Sequence, residues 1–152
     1  MKLIAHRGNI DGPNNRENHP DYLLNTVGKG YDCEVDVWYI NKQIFLGHDK
    51  PEYQVNSNFI RNIHFWNHAK NLEALDYMLM IGIHCFWHEQ DERTLTSMNY
   101  VWTYPNKSVC KNSVVCVEHT NQYVPECFGI CSDYVLWYKN NMKMQPTIVG
   151  GK

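Results

Sequence analysis

YDCEVDVWYI, residues 31–40, sets two carboxylates into an apolar, β-branched and aromatic run. Val35, Val37, Trp38, Tyr39 and Ile40 have the composition of a strand. Within the run, CEVDVW (33–38) places Glu34 and Asp36 two residues apart. Alternation along a strand sends both to one face and Cys33, Val35 and Val37 to the other. Two like charges in a core-forming strand require counter-charges close by. The stretch therefore predicts a buried strand with a charged site on one face.

Similar runs lie on both sides. They are KLIAHRG (2–8), QIFLGHD (43–49), NIHFWNHAK (62–70), IHCFWHEQ (83–90), YVWTYP (100–105), SVVCVEH (113–119) and FGICSDYV (128–135). With 31–40 they give eight candidate strands. NK at 41–42 reads as the turn of a hairpin. HPDYLLNTVGKG (19–30) carries Tyr22, Leu23 and Val27 at helical spacing, with Pro20 at its start and glycines at its end. NLEALDYMLMIG (71–82) places Leu72, Leu75, Met78 and Leu79 on one helical face, and VNSNFIRN (55–62) suggests a short helical turn. Strand–helix–strand order recurs in the first half, which favours a parallel sheet with crossovers. The expectation is an α/β fold: a compact (β/α)8 TIM-type barrel with several helices reduced to loops. Such barrels typically run to about 250 residues, so this one is stripped down. Residues 1–152 read as a single domain, with the polar tail 139–152 either flexible or plugging the bottom of the barrel.

Composition narrows the class. The chain is 43% hydrophobic and 20% charged with a net charge of −2, which offers nucleic acid no general attraction. The longest apolar runs are strand-sized, so no stable membrane insertion is expected. MKLIAHRG turns polar too early for a signal peptide. Cys33 and Cys85 lie in strand-like runs, and no CxxC pair occurs among the six cysteines. Reduced thiols in a cytoplasmic protein are the expectation.

Chemistry-capable residues gather at the ends of the candidate strands: His6 and Arg7, Glu34 and Asp36, His48 and Asp49, His68 and Lys70, His88 and Glu89. In a parallel barrel the C-terminal strand ends share the face that bears active sites. The Cα atoms of Glu34 and Asp36 stand about 7 Å apart on one face, a reach that suits one hard cation such as Mg2+ or Ca2+. An ion pair with Arg or Lys is the plainer use of the same carboxylates. Two histidines near neutral pH, His6 and His48, can pass a proton in each direction. Arg7 and Lys70 point to an anionic substrate, and arginine matches phosphate geometry.

At these residues the chain resembles the glycerophosphodiester phosphodiesterase family, within the wider set of phospholipase-C-like barrels. That pattern runs HRG, EN, ExD and HD, and here it reads HRG at 6–8, EN at 17–18, EVD at 34–36 and GHD at 47–49. The later pieces, WNHAKN (66–71), VWTY (101–104) and GICSDYV (129–135), fit more loosely. The resemblance implies metal-dependent cleavage of a small phosphodiester. Glu34 and Asp36 would hold a divalent cation, His6 and His48 serve as general acid and base, Arg7 and Lys70 contact the phosphate, and Trp102 walls the pocket. A substrate hydroxyl attacks phosphorus, and water opens the resulting cyclic phosphate. His68 departs from the pattern, because it stands where the family carries a third carboxylate ligand. The third ligand is then His68 itself, or an oxygen from Glu17, Glu89 or Glu118. Two other readings compete: a phospholipase-D/C-like lyase that releases the cyclic phosphate, and a non-catalytic barrel that binds a phosphorylated ligand.

Overall fold

The computed structural model describes residues 1–142. Ten strands join in one sheet: β1 (Lys2–Ala5), β2 (Asp32–Ile40), β3 (Gln43–Leu46), β4 (Tyr53–Val55), β5 (Phe65–Ala69), β6 (Cys85–Trp87), β7 (Arg93–Leu95), β8 (Val101–Thr103), β9 (Ser113–Val117) and β10 (Gly129–Ser132). Four helices accompany them: α1 (Pro20–Gly28), α2 (Ser57–Ile60), α3 (Leu72–Met80) and α4 (Val135–Asn141). Parallel pairing runs in the order β6-β5-β2-β1-β10-β9-β8. Antiparallel pairs add β3 to β2, β4 to β3 and β7 to β8.

This is not the expected (β/α)8 TIM-type barrel. The sheet is mixed and curls as a half-barrel, with no pairing that closes β6 onto β8 among the described residues. Helices do not alternate with strands. The connections 104–112 and 118–128 hold Pro105, Asn106, Asn121 and Pro125 and no helical apolar face, so they run as turns and loops. The eight expected strands form, and β4 and β7 are additional. Each is three residues long, as β6 and β8 are, but lies in a polar stretch, PEYQVNS (51–57) or DERTLTS (91–97), with no apolar run to mark it.

β2 organises the sheet. Its first residues pair with β1, its last with β3, and the other edge of 33–37 pairs with β5. Asn41 and Lys42, at φ 50° and 63°, make the tight turn into β3, the left-handed pair that a two-residue hairpin favours. Cys33, Val35 and Val37 pack with Leu23, Phe65 and Met78 on the convex side, beneath the helices. Ile4, Trp66, Phe86, Trp102, Val114 and Cys131 form a second, concave cluster. There Phe86 stacks on Trp102 at 4.5 Å between ring centroids.

α1, α2 and α3 follow their sequence signals with one shift, whereas α4 is unexpected. Pro20 opens α1 and His19 caps it; Asn71 caps α3 by accepting from the Ala74 amide. α3 buries Ala74 and Met78, with Leu75 beside them. Leu72 and Leu79, expected on that face, are 67% and 52% exposed. The buried stripe runs through 71, 74, 75 and 78, one residue's rotation away from 72 and 79. Of the tail 139–152, residues through Asn141 belong to α4 and 143–152 lie outside the described residues. No helix among the described residues is long and apolar enough to cross a membrane. All six cysteines are unpaired.

Candidate functional site

Above the concave aromatic cluster lies a cavity of about 480 Å3. Glu34, Asp36, His6, Arg7, His48, His68, Lys70 and Trp102 all line it, together with His88, Glu89, Glu118 and Asp133. Alternation delivers most of these. On the concave face β2 presents Asp32, Glu34 and Asp36, and the β5 chain presents Trp66, His68 and Lys70. The aromatic residues face the lower level and the ionisable ones the rim.

Two local devices bring in the rest. After β1 the chain turns through His6–Gly8, with Arg7 at φ 51° and Gly8 at φ 89°. A Cβ on Gly8 would stand 3.0 Å from the Tyr22 ring, so the turn needs glycine. It aims the Arg7 amide at Glu34 Oε2, 3.2 Å away. His48 arrives differently from the expectation. β3 is antiparallel to β2, so the rule for C-terminal ends of parallel strands does not place it. Instead β2 overshoots the sheet through residues 37–40, and the hairpin returns until the Gly47 amide bonds the Asp36 carbonyl at 3.2 Å. That return sets His48 on the rim.

Asp36 is the most heavily partnered group. Its Oδ2 accepts from Asn18 Nδ2 at 2.8 Å and lies 3.2 Å from Arg7 Nε. Its Oδ1 is 3.2 Å from His68 Nδ1 and 3.4 Å from Lys70 Nζ, yet no aligned hydrogen bond satisfies it. Burial alone would push this carboxyl up; His68, Lys70 and Arg7 outweigh burial and hold it well below the usual carboxylate range. His68 Nδ1 is also 3.4 Å from Glu34 Oε1. Burial opposes charge on His68, but Asp36 and Glu34 raise its pKa to about 9. A proton or a divalent cation at Nδ1 each balances the two carboxylates.

Donor atoms of Glu34, Asp36 and His68 lie within 4.8 Å of one another. Asp36 is 1% exposed, and its unsatisfied Oδ1 belongs to this set. The set therefore fits a divalent cation. Glu17 is engaged elsewhere, accepting from Arg7 Nη1 at 3.0 Å and Asn9 Nδ2 at 2.8 Å. Glu89 and Glu118 line the cavity outside the cluster.

Sequence reasoning misses Asp133 and assigns no role to Asn18. Asp133 follows β10, and its Oδ1 accepts from His6 Nδ1 at 2.9 Å and Asn9 Nδ2 at 2.8 Å. Burial disfavours charge on the His6 ring, and Arg7 adds to that; Asp133 and Glu34 together prevail and raise its pKa. The strand-end rule that singles out five clusters applies equally to Ser132–Asp133, the end of the last strand. Asn18 is visible in the sequence only as half of the EN pair. It sits at φ 61°, its Oδ1 accepts from the Asp36 backbone amide at 3.0 Å, and its Nδ2 donates to the Asp36 carboxylate at 2.8 Å.

Comparison with protein-family models, curated proteins and solved structures returns no match to this chain.

Proposed function

We propose that this protein is a metal-dependent phosphodiesterase acting on a small glycerophosphodiester-like substrate. One observation carries the reading: two rim histidines, His6 and His48, share a single cavity with a carboxylate–imidazole cluster and two cations, Arg7 and Lys70. The likeness of HRG, EN, EVD and GHD to the glycerophosphodiester phosphodiesterase pattern supports the same chemistry.

Arg7 and Lys70 bind and orient the phosphate; each also faces Asp36, which keeps its head group directed inward. Glu34, Asp36 and His68 would hold a divalent cation, which would supply Lewis-acid polarisation of the phosphoryl oxygens. One histidine removes the proton from a substrate hydroxyl as its oxygen bonds to phosphorus. The other donates a proton to the departing alcohol oxygen as its bond to phosphorus breaks. Water then opens the cyclic phosphate with the proton transfers reversed. Trp102, stacked on Phe86, forms an apolar wall for the substrate's organic part. Its partner is a small molecule, not nucleic acid, and the six unpaired thiols support a reducing, cytoplasmic setting.

The test is an assay against a panel of phosphodiesters with Mg2+, Ca2+ or Mn2+ and with chelator. Metal-dependent turnover that is lost in His6→Ala and His48→Ala is the expected result. Turnover indifferent to chelator and to both substitutions would overturn the mechanism.

A further inference from the structure

We propose that the site selects a borderline transition-metal cation, such as Mn2+, Co2+ or Zn2+, over Mg2+ and Ca2+. The inference rests on reading Glu34, Asp36 and His68 as a cation site, and not on the diesterase chemistry.

The structural case begins at the imidazole. His68 Nε2 donates to the His88 backbone carbonyl at 3.2 Å. That bond occupies Nε2, so Nδ1, which faces Asp36 and Glu34 at 3.2 and 3.4 Å, is the atom on which a cation would take the place of a proton. The ring is also held flat against Phe86, with centroids 5.0 Å apart and planes 3° apart. A backbone carbonyl behind the ring and a fixed plane are the outer-shell supports that metal-ligating histidines use. Opposite the ring stands Asp36 Oδ1, buried and without an aligned hydrogen bond. One nitrogen and two carboxylates thus converge on one point. Mg2+ and Ca2+ prefer all-oxygen shells, whereas imidazole favours the later first-row ions. A third carboxylate would suit the hard ions, and among the described residues the cluster contains none.

The experiment uses the full chain, stripped with chelator and titrated separately with Mg2+, Ca2+, Mn2+, Co2+ and Zn2+. The transition ions are expected to bind at least about tenfold more tightly than Mg2+ or Ca2+, an effect of the size that ligand environments exert on affinity. Pulsed electron paramagnetic resonance of the Mn2+ form should show coupling to a directly bound nitrogen. His68→Asp and His68→Gln should both abolish that coupling, and His68→Asp should reverse or erase the preference. Circular dichroism confirms that each variant is folded; should one not fold, the wild-type affinity ratio and nitrogen coupling decide the matter. Equal affinity for Mg2+ or Ca2+, absence of nitrogen coupling, or coupling that survives in a folded His68 variant would overturn the inference. Mg2+-supported diester turnover without transition-metal preference would overturn it and leave the phosphodiesterase reading standing. Selective binding through His68 with no turnover of any diester would do the reverse.

Discussion

Asp133 Oδ1 accepts a hydrogen bond from His6 Nδ1 at 2.9 Å, across 127 positions of sequence. The contact turns the ring so that Nε2 faces the cavity, 4.0 Å from Glu34 Oε2. Asp133 is thus a positioning residue for His6. Asp133→Asn is expected to lower kcat by about 10²–10⁴-fold, the usual worth of a general acid or base. Asp133 raises the His6 pKa, so its loss should move the His6 limb of the kcat/KM profile to lower pH. A variant with reduced kcat and an unmoved limb would refute this role.

Asn18 is fully buried and clamps Asp36 from both its side-chain amide and its carbonyl. Asn18→Gly keeps the left-handed backbone accessible while removing both bonds. Cation affinity should then fall about 10–100-fold, read by titration calorimetry. Unchanged affinity in the folded variant would rule out the clamp.

Gly47 sits at φ 146°, and a Cβ there would collide with the Lys50 carbonyl. Gly47→Ala should cost roughly 1–3 kcal/mol of stability and also impair turnover, because the next residue is His48. Gly28, at the end of α1, is open: a Cβ added there would meet nothing within 4 Å. Gly28→Ala should be neutral or stabilise by about 0.4–1 kcal/mol. Thermal unfolding of the pair checks both, and a reversed order would contradict the geometry.

His84 lies below the site, packed on Trp66 at 4.3 Å between centroids, with Nε2 2.9 Å from Thr96 Oγ1. Burial lowers its pKa to about 4, only partly offset by Asp32. The unfolded chain therefore takes up a proton near pH 6.5 that the native ring refuses. This residue's contribution to stability should be complete above about pH 6.5 and decline as the pH falls toward about 4. The slope of denaturant-derived stability over that window should flatten in His84→Gln. An unchanged slope would contradict the assignment.

Much of the site is legible in the sequence because its residues are local to short motifs. Glu34 and Asp36 share a face by alternation alone, and His68 and Lys70 follow the same rule on β5. Arg7 is marked by HRG, whose glycine the turn requires. Asp133 obeys the same strand-end rule, but its value depends on a partner that no local pattern names. The closed barrel fails as an expectation for a related reason. Alternation reports which residues form strands, but not that β10 returns to β1 while β6 and β8, among the described residues, stay unpaired with each other.

Sequence alone determined eight of the ten strands, the two longer helices, the Asn41–Lys42 hairpin and the pairing of two carboxylates on one face of β2. These follow from backbone sterics and side-chain period over a few residues. Only the tertiary structure decided that the sheet stays open and mixed, that the hairpin returns His48 to the level of Asp36, and that Asn18 and Asp133 complete the cavity. Those outcomes depend on pairings between distant segments, where burial and register are settled by the whole sheet at once.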